Sequence, residues 1–138
     1  MILRSILFLL LPLLTLLSES RFNLLPALEL SGIKEKYSEL EKSLTSRVLR
    51  NPTEVSSYSS RGDARLFLGN FLGARMDYEK MIKLNPKLEV SHWRLGIAYF
   101  YLSDFSKAAR QFEIYHQYDN IDRENGIWRF MSQYKKSG

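Results

Sequence analysis

From Ile33 onward, apolar residues return at helical spacing. Ile33, Tyr37, Leu40, Leu44 and Val48 lie three or four positions apart with glutamates and lysines between them, the pattern of a helix that buries one face. Asn51-Pro52 ends it, because a proline disfavours helical geometry in the residue before it, so a helix is predicted over 33–50. Thr53 or Ser56 can cap the next helix, which carries Leu66 and Phe67 and runs to about Gly69. A partner helix from about Gly73 to Leu84 presents Ala74, Tyr78, Met81 and Ile82, and stops at Asn85-Pro86. Leu95, Gly96, Tyr99 and Leu102 then form another stripe, broken by Ser103-Asp104, either of which can accept from the free N–H groups of a first turn. Ala108, Ala109, Phe112 and Tyr115 carry the stripe of the helix that follows. Gly96 and Ala108 are small where two antiparallel helices would cross, while Tyr99 and Phe112 fill the space beside the crossing. After Asp122 a last helix, Arg123 to about Lys136, is predicted to bury Ile127, Trp128, Met131 and Tyr134.

The pattern repeats. Asn51-Pro52, Asn85-Pro86 and Asp119-Asn120 recur at one constant interval, and Tyr58, Gly62, Ala74 and Tyr78 have counterparts at the same interval in His92, Gly96, Ala108 and Phe112. A fixed period of that length, roughly 34 residues, marks stacked helical hairpins. The run His92-Trp93, Leu95-Gly96, Tyr99, Ala108, Phe112 and Tyr115 resembles a tetratricopeptide repeat (TPR), with Asn120 where the closing proline is usual. The resemblance covers 53–120 well and 33–136 loosely. It implies an all-α fold, a short α-solenoid of about two repeats, 53–86 and 89–120, flanked by the helix 33–50 and a capping helix 122–136. Helix 33–50 resembles the second helix of a decayed earlier repeat. The first repeat departs from the pattern: Arg61 and Arg65 stand where Leu and Tyr are usual. The chain also resembles small TPR-like proteins of unassigned role, through Asp77-Tyr78, Trp93-Arg94, Gln111-Phe112-Glu113, Asn125 and Trp128.

The N-terminal segment 1–20 has a different character. Arg4 precedes an apolar run, Ile6 to Leu17, and Ser18 and Ser20 are the small residues of a cut before Arg21, the layout of a secretory signal peptide. The run is short for a membrane span, which needs about 20 apolar residues. An uncleaved anchor is the competing reading, and residues 21–32 are an irregular, apolar lead-in. The expectation is export to the periplasm, a membrane or the exterior. With no cysteine, disulfides, thiolate metal sites and a cysteine nucleophile are excluded. The net charge of +5 is spread thinly, with no basic block longer than Lys135-Lys136, and does not point to nucleic acid.

What the resemblance implies for function is a concave face built from first helices that holds a peptide or a partner helix. Its positions here are Ser59, Asp63, Leu66 and Phe67 in the first repeat, and Trp93, Arg94, Ile97, Phe100 and Tyr101 in the second. The lysines and asparagines with which some TPR proteins grip a C-terminal carboxylate are missing at matching places. The second set is an aromatic strip with an arginine at its edge, a composition suited to a binding hot spot. Two readings stand: an open groove, or core covered by a flanking helix. Arg61, Arg65 and Asp77 form either a structural ion-pair network or an anion site, and burial of the arginines demands carboxylate partners. Arg61-Gly62-Asp63 spells an adhesion tripeptide, but its glycine belongs to helix packing. For catalysis there is little: His92 and His116 are isolated, no phosphate loop or nucleophile elbow occurs, and capping explains Asp122 beside His116 and Asp119 without a metal. The expectation is a binding module without cofactor or metal, for a protein or peptide partner, with the N-terminus as a route to membrane association and self-pairing as a consequence of short arrays lacking caps.

Overall fold

The computed structural model describes residues 29–137, and the chain divides into two compact units, residues 1–36 and Tyr37–Gly138. In the first unit, residues 29–36 are helical and exposed. The helix therefore begins before Ile33, and the irregular lead-in does not extend to residue 32. The apolar run, the cut before Arg21 and residues 21–28 lie outside the described residues. Among the described residues no helix is long and apolar enough to cross a membrane.

The second unit is helical throughout, with no strand among the described residues. Its elements are α1 (37–50), α2 (Val55–Phe67), α3 (Phe71–Leu84), a 3₁₀ helix (Pro86–Ser91), α4 (Trp93–Tyr101), α5 (Phe105–Tyr118) and α6 (Arg123–Ser137). Helices α2/α3 and α4/α5 are hairpins of the TPR type, and their turns are built alike. Gly69 and Ser103, one repeat apart, both take positive φ, at 77° and 60°. The amide of Asn70 bonds to the Arg65 carbonyl and that of Asp104 to the Tyr99 carbonyl, which closes the end of each first helix. Asn70 Oδ1 then accepts from the Gly73 amide, and Asp104 Oδ1 from the Lys107 amide, so each turn also caps the helix that follows. Asp104 is thus the cap, with Ser103 the turn residue. Gly73 lies inside the first turn of α3 rather than in the link. The cap of α2 is Glu54, not Thr53 or Ser56. Glu54 makes no side-chain bond to the helix backbone; its carboxylate takes Arg47 at 2.6 Å and the Ser57 hydroxyl instead.

Packing follows the register of the repeat. Ala74, Tyr78, Leu95, Ala98, Tyr99, Ala108 and Phe112 form the main core, with Tyr78 and Phe112 fully buried. Burial of each such ring is worth about 2–3 kcal/mol. A smaller cluster joins Val48, Tyr58 and Met81. The register extends outward at both ends. Leu44, buried on α1, lies one repeat before Tyr78, and the Tyr37–Phe67 ring stack at 4.7 Å matches the Phe71–Tyr101 stack at 4.3 Å. Helix α1 therefore stands in the register of a second helix. At the other end, Ser132 on α6 has no exposure, like Ala98 and Ala64 one and two repeats earlier. Helix α6 is thus a first helix. Its covered face is Asn125, Trp128 and Ser132; of the predicted stripe Trp128 packs on the core and Met131 is half-buried, but Ile127 and Tyr134 are 60% and 67% exposed. The register with α4, rather than the apolar pattern of α6 itself, decides which side is covered.

Candidate functional site

The residues expected to form one concave strip divide into three groups. Leu66, Ile97 and Phe100 pack against the main core, Phe100 edge-on to Phe105 and to Trp128, both at 5.4 Å. Trp128 of α6 also stacks on Phe112 at 6.0 Å, so the last helix covers part of the aromatic strip of α4. Phe67 and Tyr101 are more than half exposed and stack on Tyr37 and Phe71, Tyr101 also meeting Phe100 edge-on at 6.1 Å. The remaining four, Ser59, Asp63, Trp93 and Arg94, are half-buried on neighbouring helices α2 and α4. Arg94 lies over the Trp93 ring at 4.5 Å and reaches Asp63 at 3.7 Å. Asp63 also accepts from the Tyr78 hydroxyl at 2.8 Å, which ties the exposed row to the core. Burial, aided by Asp63, holds the Tyr78 hydroxyl well above its ordinary range, so it stays a donor.

Beside Ser59 opens a cleft of about 470 Å³. Helix α2 supplies Val55, Ser56 and Ser59, α3 supplies Met81, and the 3₁₀ segment supplies Leu88 and Ser91, with Asn85 and His92 at its two ends. Apart from Ser59, the sequence reading missed this cleft. It depends on the 3₁₀ helix Pro86–Ser91, which has no apolar period; its one signal is Pro86 at the first helical position. All of these lining residues are uncharged. His92 is buried, edge-on to the Tyr78 ring at 4.3 Å. Burial, and secondarily Arg94, lowers its pKa to about 4, so the imidazole is neutral near neutral pH. The cleft offers hydroxyls, an amide and an apolar floor, suited to a neutral segment with backbone donors and acceptors.

The arginine set lies elsewhere and is saturated. Arg61 forms a two-pronged pair with Asp77 at 2.6 and 2.9 Å, and Arg65 bridges Asp77 at 2.9 Å and Glu41 at 2.8 Å. The bond to Asp77 is the chief reason that the Arg61 guanidinium is held above its usual range. With two arginines facing two carboxylates, charge is balanced within the packing of α1, α2 and α3, which leaves no cationic excess there to attract an anion. Around the α5–α6 turn, Asp119 Oδ1 accepts from the Ile121 and Asp122 amides, and Asp122 Oδ1 from the Asn125 amide. These carboxylates cap backbone. No group of three or more side chains able to hold a metal occurs among the described residues.

No family profile matches the chain. Two plant proteins are similar to it: Hsp70-Hsp90 organizing protein 3 of Arabidopsis thaliana, 28% identical over 106 residues, and Hsp70-Hsp90 organizing protein of Triticum aestivum, 29% identical over 106 residues. Each match takes in 75% of this chain but only 19% and 18% of the relative. The chain spans about a fifth of the length of the relatives it matches. The likeness and the all-α hairpins together support a TPR-like family.

Proposed function

We propose that the chain is a non-catalytic protein- or peptide-binding module, an adaptor or assembly factor, that works through the face shared by α2 and α4. The observation that carries this reading is the half-exposed row Ser59, Asp63, Arg94 and Trp93, whose Ser59 lines an uncharged cleft in the hairpin array. Its relatives are named for organizing Hsp70 and Hsp90, a role of assembly rather than chemistry. A chaperone is therefore one class of partner. The missing clamp lysines and the neutral cleft favour an uncharged segment of that partner over a terminal carboxylate. We further propose export, with residues 1–20 removed.

The test is in-situ crosslinking of the wild type beside a Ser59→Arg/Arg94→Glu variant, both residues being half-buried rather than part of the buried core. Loss of specific partners from the variant, with helical circular dichroism unchanged, is expected. The same proteins captured by both would overturn the reading. Export is tested by fractionation with N-terminal sequencing: a start at Arg21 in a soluble fraction is expected, and an intact N-terminus in membranes would assign a tether instead.

A further inference from the structure

Where α4, α5 and the start of α6 meet, a small cavity of about 20 Å³ is lined by Trp93, Phe112, Asp122, Glu124, Asn125 and Trp128. That volume holds one water-sized group. Asn125 is 2% exposed and gives its Nδ2 to the Phe112 carbonyl at 3.3 Å, while its Oδ1 has no hydrogen-bond partner. With the amide nitrogen committed, Oδ1 is the polar atom that Asn125 has left to offer the cavity, and a buried acceptor without a donor is costly. Asp122 takes the Asn125 amide with Oδ1 and lies by the Tyr115 hydroxyl. Glu124 is exposed, with no ion pair among the described residues. Capping accounts for Asp122 and the helix dipole for Glu124, but neither accounts for the free amide oxygen.

We propose that this cavity takes the ε-ammonium of a lysine side chain from a partner protein. Given the protein-binding function proposed above, on which this rests, the lysine is a second anchor of the same partner, because Trp93 belongs both to the cavity and to the row with Asp63 and Arg94. The uncharged cleft at Ser59 takes a different part of that partner. The oxygens of the lining side chains are all acceptors, and an ammonium brings three donors and no acceptor. Asp122 and Glu124 supply two negative charges against about half a positive charge from the N-terminus of α6, and no basic side chain lines the cavity. A water would satisfy Asn125 but leave that charge unmatched. A planar guanidinium is too broad for the volume. Calcium seeks about six to eight oxygens, where the lining has two carboxylates, one amide and two indoles. Indole is the best aromatic partner for a cation, and Arg94 over the Trp93 ring at 4.5 Å already uses it so.

The probe is N-acetyl-lysine methylamide, titrated into the ¹⁵N-labelled full chain. Trp93 and Trp128 are the two tryptophans of the sequence, so the two indole N–H signals report on the cavity directly. Both should shift to saturation. The counterpart acetylated on Nε carries no charge and should bind about tenfold more weakly. Asp122→Asn/Glu124→Gln keeps the cap, since asparagine caps as well as aspartate, and should weaken the lysine probe severalfold with helical circular dichroism unchanged. Glu124→Gln alone, at an exposed position, should weaken it in the same direction. No saturable shift, equal binding of the acetylated probe, or indifference to both variants overturns the proposal. Displacement of the lysine probe by calcium chloride assigns the cavity to a metal and also overturns it. The Ser59→Arg/Arg94→Glu variant should bind the probe at least as well as the wild type. Crosslinked partners retained by Asp122→Asn/Glu124→Gln after probe binding is lost would overturn the lysine anchor while leaving the row at Ser59 and Arg94 standing.

Discussion

Gly62 and Tyr78 are in such close contact that a methyl group on the glycine would stand 2.4 Å from the tyrosine ring, and Gly96 repeats the relationship with Phe112 at 2.8 Å. Both rings are fully buried and cannot swing aside. Gly→Ala in a helix ordinarily gains about 1 kcal/mol, but overpacking a tight core costs about 1–3 kcal/mol. Gly62→Ala should therefore destabilise, by up to about 2 kcal/mol once the two effects are combined, and Gly96→Ala by less. Urea midpoints of the two variants check both sign and order.

The same spacing explains why so much of the fold was legible. Gly62/Gly96, Ala74/Ala108 and Tyr78/Phe112 report the hairpins from sequence because small-on-large contacts recur at a fixed interval. The turn at Ser103 was legible too, through Asp104. Less legible was anything decided by a neighbouring element. Trp128 is covered and Ile127 is not because α6 stacks on α4 and α5, although both belong to the same apolar pattern. Phe100 and Tyr101 are adjacent aromatics that both lie against Trp128, yet only Phe100 packs on the core, while Tyr101 stays 54% exposed and stacks on Phe71. The cleft at His92 needed the 3₁₀ segment, whose residues carry no period.

Arg61, Arg65 and Asp77 replace the residues that the second repeat has at the same places, Leu95, Tyr99 and Gln111. Removing one charge should be severe. Asp77→Asn leaves Arg61 buried without its carboxylate and should cost about 3–5 kcal/mol. Copying the second repeat whole, as Arg61→Leu/Arg65→Tyr/Asp77→Gln, should recover most of that loss, because an apolar replacement for a buried ion pair is often neutral or better. Chemical denaturation of the two variants tests this, and equal losses would show that the pair is not the source of the cost.

His92 makes stability depend on pH. Its folded pKa of about 4 lies below the unfolded value, so the native state favours the neutral ring. The stability tied to that neutrality is fully present above about pH 6.5 and is lost as pH falls towards 4. Between about pH 7 and pH 5 this amounts to roughly 2 kcal/mol. His92→Phe keeps a ring against Tyr78 and removes the titration, so its stability should change much less over that interval. Paired denaturation curves at the two pH values decide it.

Ser132 is the place where α6 can be improved. Its side chain has no exposure and its hydroxyl has no hydrogen-bond partner. Ala98 and Ala64 occupy the matching position in the preceding first helices, both equally buried, so the space is shaped for a methyl group. Ser132→Ala removes an unpaired buried hydroxyl, worth about 1 kcal/mol or more, and supplies a better helix former. The melting temperature should rise by about 4 °C. A fall instead would mean that the hydroxyl holds a buried water or the α6 backbone, and that α6 is anchored through Ser132 rather than merely seated over it.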